Sequence, residues 1–86
     1  MVGTYHEARQ FCGRALVLHR ELGNRHGEAA AWDSLGYIDH SLGRFATATL
    51  SYTRSPSLFR QLGDRYHQAD TLSHLGDTCY ASNRLQ

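Results

Sequence analysis

The chain has 86 residues, 41% of them hydrophobic, which allows one small domain and little more core than that. Nine basic residues, all arginine, against eight acidic ones leave a formal charge of +1. That balance lacks the broad basic field by which nucleic acids or anionic membranes are held, so neither is expected as a direct partner.

The first amphipathic segment runs from about Thr4 to Leu22. Tyr5, Ala8, Cys12, Ala15, His19 and Leu22 recur there in steps of three and four, with Phe11 and Leu18 beside them, the spacing of one helix face. Gly23 supplies the left-handed residue that ends a helix, and Asn24 the side-chain oxygen that caps the next. A second helix is predicted from about Arg25 to Leu42, with Ala29, Trp32, Leu35, Gly36 and Leu42 inward. Gly43 ends it. The third, starting at Arg44, reads Phe45, Ala48, Tyr52, Ser55, Phe59 and Leu62 along one face.

Pro56 falls inside that third pattern, where a proline removes a backbone donor at a cost of about 3 kcal/mol. A kink or a break is expected, the latter with Ser55 as N-cap of a restarted helix. Gly63 and Asp64 repeat the turn of Gly23 and Asn24, and a fourth helix follows over about Arg65 to Ala81, with Ala69, Leu72, Leu75, Gly76 and Cys79 inward.

The four segments are two copies of one longer unit. Shifted by 40 residues, Ala8 meets Ala48, Leu18 meets Leu58, Leu22 meets Leu62, Gly23 meets Gly63, Arg25 meets Arg65, Leu35 meets Leu75 and Gly36 meets Gly76. Glycine at Gly36 and Gly76 sits in mid-helix at about 1 kcal/mol against alanine, which implies another helix backbone passing close by. Trp32, Leu35-Gly36, Ala48 and Tyr52 carry the spacing of the tetratricopeptide repeat family, and the chain resembles that family over most of its length. Leu72, Leu75 and Gly76 are similar to the front of a further repeat. The period of 40 is longer than the family's common form of about 34, as in repeat arrays of large bacterial, particularly actinobacterial, transcriptional regulators. Asp39 stands where the family usually has tyrosine, so an interhelical carboxylate must find a donor there or loosen the repeat.

The resemblance implies an all-α fold of antiparallel helix-turn-helix repeats, stacked as a short right-handed α-solenoid. Residues 3–23 then form the back half of one repeat, 24–63 a whole one and 64–86 the front half of another, which implies a fragment of a longer array, since such units bury their apolar faces on one another. An isolated chain without a polar capping helix is expected to be marginal or to self-associate through its terminal helices. The family's first helices line a concave groove, which implies a protein or peptide partner held by Asp33, Tyr37, His40, Asp70, Ser73, His74, Asp77 and Tyr80, with Ala30 and Ser34 alongside. Carboxylates beside tyrosines suit the basic side chains and backbone of an extended peptide.

Chemistry beyond binding finds little footing. His67, Asp70, His74 and Asp77 share a helix face and offer imidazole and carboxylate ligands to a divalent ion, the alternative reading, but no second cluster completes a closed site. Cys12 and Cys79 are far apart and fall on faces predicted inward, as reduced, buried thiols of a cytoplasmic protein. No cofactor, metal or catalytic residue is expected, and no stretch approaches the roughly 18 apolar residues of a membrane span.

Overall fold

The computed structural model describes residues Val2–Arg84, and in it the predicted periodicities become four helices: α1 (Val2–Glu21), α2 (Arg25–Ser41), α3 (Phe45–Gln61) and α4 (Arg65–Arg84). The turns between them are built alike. Gly23, Gly43 and Gly63 adopt φ of 69°, 77° and 73°, the left-handed conformation that a side chain disfavours. Around Gly23, the Asn24 N–H donates to the His19 carbonyl at 2.8 Å and the Gly23 N–H to that of Arg20 at 3.2 Å. The same pair of bonds closes the ends of α2 and α3, so these three helices stop by one glycine-dependent motif. The next helix then starts at once: Asn24 Oδ1 accepts from the Gly27 N–H and Asp64 Oδ1 from that of His67, each at 3.0 Å. Arg44 makes no such side-chain bond.

Connections this short force neighbouring helices antiparallel. Each helix packs on its neighbours in the chain, and α2 also touches α4, so the fold is an all-α, repeat-like row. Leu16 of α1 packs with Ala31 and Leu35 of α2, and Cys12 and Trp32 lie against that cluster. On its other side α2 meets α3, where the Ser55 hydroxyl donates to the Ala29 carbonyl at 2.9 Å. Being covered from both sides explains why Ala31 and Ile38 are buried along with the expected Ala29 and Leu35.

Three expectations are corrected by this packing, and a fourth, left open for Asp39, is decided. The helix does not break at Pro56; α3 runs through it, with the Pro56 ring buried. Ser55 cannot serve as a new N-cap because its hydroxyl is committed to α2. Secondly, the close neighbour of Gly36 is a ring and not a helix backbone: a Cβ there would lie 2.7 Å from Tyr52 Cδ1 and Cε1. Thirdly, α4 buries Thr71 and Thr78, with His74 and Leu75 half-buried, whereas Ala69, Leu72, Gly76 and Cys79 are exposed. Those threonines are the counterparts of Ala31 and Ile38 at the offset of 40, so α4 presents to α3 the face that α2 presents to α1. Its other face, matching the one α2 turns to α3, lies open. Finally, the Asp39 carboxylate is fully buried and finds its donor in Arg9 of α1, 3.0 Å from Nε to Oδ1.

The two repeat glycines therefore respond oppositely to the same change. Gly36→Ala gains about 1 kcal/mol in helix propensity but drives a methyl into the Tyr52 ring, at about 1 to 3 kcal/mol. Gly76 has nothing within 4 Å of its would-be Cβ. Gly76→Ala is expected to raise the melting temperature and Gly36→Ala to lower it or leave it level, as read by circular dichroism. A gain from Gly36→Ala equal to that from Gly76→Ala would show that the ring does not hold its position.

A candidate partner-binding face on helices α2 and α4

Two polar contacts tie α2 to α4. His74 Nδ1 lies 3.2 Å from Asp33 Oδ1, and His40 Nδ1 bonds Thr78 Oγ1 at 2.8 Å. His74 also approaches Asp70 at 3.9 Å and packs on the Tyr52 ring at 5.5 Å between centroids. The helical periods place these groups: Asp33, Tyr37 and His40 stand one turn apart on α2, as do Asp70, His74 and Asp77 on α4.

An open recess flanks the His74 bridge on either side. The smaller, of ≈ 240 Å³, is lined by Tyr37, His40, Tyr52, His74, Asp77 and Thr78. The larger, of ≈ 540 Å³, includes Asp33, Ser34 and Ala30 from α2, Asp70 and Thr71 from α4, and His26, Phe59 and His67 at its far end. Of the residues expected to face a partner, Asp33, Tyr37, His40, Asp70, His74 and Asp77 thus lie along this α2/α4 seam, each lining one recess or the other. His40 is only half exposed, since Thr78 and the edge of the Phe45 ring hold it. Ser73 and Tyr80 are exposed but line neither recess; the Tyr80 ring lies instead under the Arg84 guanidinium at 5.8 Å.

The sequence did not point to the far end of the seam. Asp64, there as a helix cap, also bonds His67 Nδ1 at 2.7 Å and lies 3.5 Å from His26 Nε2. The His67 backbone N–H and ring, with smaller help from the His26 charge, hold the Asp64 carboxyl below the usual carboxylate range. The His67 ring in turn stacks on Phe59 at 5.1 Å. A histidine at the third position of a helix after an aspartate cap was the signal available for this arrangement.

The face is acidic. Asp33 and Asp70 line the larger recess, Asp77 the smaller, and among the described residues no arginine lines either. His74 is engaged by Asp33, His26 and His67 share Asp64, and His40 is held by Thr78; among the described residues no group of three or more His, Cys, Asp or Glu side chains is placed to hold a metal ion. Cys79, expected inward, is exposed, while Cys12 is half-buried and its thiol pushed up by burial. No described helix is long and apolar enough to cross a membrane.

Tyr52 forms the floor of the smaller recess. Burial first, and then the charges of Asp33, Tyr37 and Asp77, push its phenol up from 10.0 to about 12. The folded state therefore keeps Tyr52 neutral where the unfolded chain ionises it, so stability is intact below about pH 10 and falls as pH rises from there towards 12. Tyr52→Phe retains the ring beside Gly36 and is expected to shallow that alkaline loss, measured by urea unfolding across the pH range. An unchanged alkaline slope would rule out Tyr52 as its source.

Comparison of the chain with protein-family models, with characterised proteins and with solved structures finds no match.

Proposed function

We propose that this chain is a non-catalytic interaction module of the tetratricopeptide type, a cytoplasmic segment of a larger bacterial regulatory protein, and that the α2/α4 seam holds an extended peptide carrying basic side chains. The observation that carries this reading is the order of groups along the seam. Asp33 and Asp70 border one recess, Asp77 and Tyr37 the next, and the His74 bridge between them joins the two helices at a fixed spacing. An extended chain lying along it meets carboxylates at intervals and one phenol, suited to guanidinium or ammonium groups and to backbone carbonyls.

Calorimetric titration with an arginine-rich peptide, against a glutamate-rich peptide of equal length, tests this. The basic peptide is expected to bind, more weakly as salt rises. Asp33→Asn, Asp77→Asn and Tyr37→Ala should each weaken it about fivefold, the effect of losing one exposed charge or contact. Unchanged binding by the triple variant would remove the seam from the account.

A further inference from the structure

The open face of α4 has a match at the other end of the same molecule. α1 is the counterpart of α3 at the offset of 40, yet among the described residues no helix lies against it where α2 lies against α3. Phe11, Leu18 and Leu22 are consequently exposed, Leu22 at 71%, although their counterparts Ser51, Leu58 and Leu62 are buried or half-buried. On α4, Leu72 and Tyr66 are exposed, Tyr66 at 77%. Each end thus lacks what the other carries.

We propose that copies of this chain stack head to tail, α1 of one copy covering the open face of α4 of another in the register that α3 keeps on α2. The contacts of the α2/α3 pair, moved by 40 residues, test the fit one by one. Arg25 Nη1 donates to Gln61 Oε1 at 3.1 Å. Its transposed pair is Arg65 with Glu21, in which the neutral acceptor becomes a carboxylate. The His26 and Phe59 rings, 6.3 Å apart, become Tyr66 and His19. The T-shaped pair of His40 and Phe45, at 5.3 Å, becomes Tyr80 and Tyr5. Where Ser55 approaches the Ala29 backbone, Ala15 approaches Ala69, and where the Tyr52 ring fills the space over Gly36, the smaller Cys12 lies over Gly76. Where the Arg54 guanidinium lies over the Trp32 ring at 4.8 Å, Arg14 meets Leu72, so one ion pair is gained and two ring pairs are kept, while that cation–π contact, the Ser55 hydrogen bond and the Tyr52 ring are lost. The interface joins unlike surfaces, so it propagates into an open row and does not close on a dimer. It leaves the peptide-binding seam uncovered and does not depend on the peptide reading, although flanking repeats of a longer array would occupy the same two faces.

Sedimentation equilibrium over a concentration series reads the result directly. The 9.7 kDa chain is expected to grow beyond dimer as concentration rises. Ala69→Trp, at an exposed position, should stay monomeric with unchanged helicity by circular dichroism. Arg65→Glu and Glu21→Arg should each weaken association about fivefold, and neither opposes its helix dipole. Mixing the two variants should restore growth, because each then offers the other an opposite charge at both ends. A monomer at every concentration, a dimer that grows no further, unimpaired association of Ala69→Trp, or no recovery on mixing would overturn the proposal.

Discussion

Arg9→Met is expected to destabilise the chain by about 3 kcal/mol, although Arg9 is partly exposed and lies on a terminal helix. The reason is its partner. Asp39 is fully buried between helices, and the Arg9 guanidinium reaches it with Nε at 3.0 Å from Oδ1 and Nη2 at 3.5 Å from Oδ2. Removing the arginine leaves a buried carboxylate with its charge uncompensated, which in general costs about 3 to 5 kcal/mol. The exposed side of Arg9, at 38%, admits some water and places the effect at the lower end. The reverse deletion is milder, because in Asp39→Leu the freed guanidinium turns to solvent along its own stem. Arg9→Met combined with Asp39→Leu should recover most of the loss, since a desolvated ion pair replaced by apolar groups of similar size is often neutral. Urea unfolding of the three variants gives the coupling energy. Equal losses from the two single variants would show that the asymmetry in burial does not govern the pair.

The same pair shows where the sequence stops being legible. That Asp39 needed a donor followed from its place on an inward face, but nothing in the spacing of Arg9, thirty residues earlier and on another helix, marked it as that donor. Helix ends were legible because a left-handed glycine acts locally, through backbone bonds made within six residues. The burial of α4 was not, because a repeat motif marks two faces of a helix without saying which of them a neighbour covers. Leu72 and Gly76 belong to the face open here, and Thr71 and Thr78 to the covered one. A buried threonine gave no sequence signal, since its hydroxyl is satisfied by groups that spacing does not mark, the His67 carbonyl at 2.9 Å for Thr71 and the His40 ring at 2.8 Å for Thr78. Pro56 misled for the reverse reason. Local chemistry allowed a kink or a break, and α3, packed between α2 and α4, runs through without the break. At the candidate site, the helical period already grouped Asp33 with Tyr37 and Asp70 with His74, whereas the Asp33–His74 bridge required the two helices to be set side by side.

Leu35→Ala is expected to cost about 3 kcal/mol, within the usual 2 to 5 for a buried leucine, and Leu75→Ala clearly less, despite their equivalent places in the repeat. Leu35 is 6% exposed and belongs to the cluster of Leu16 and Ala31 that joins α1 to α2. Leu75 is only half-buried, so water fills part of the space that its truncation leaves. The consequence for Leu35→Ala is also local. In a row of helices that contact chiefly their chain neighbours, losing one interface releases the element beyond it, here α1, while α2, α3 and α4 keep theirs. Hydrogen exchange should therefore show the amides of α1 losing protection before those of α3, and Trp32 fluorescence should shift, because that ring packs against the same cluster. The loss of α1 would also strip Arg9 from Asp39, so the Leu35 and Arg9 substitutions should combine to less than the sum of their separate effects. Strict additivity, or uniform loss of protection across all four helices, would mean that the chain unfolds as one unit and that its interfaces are not separable.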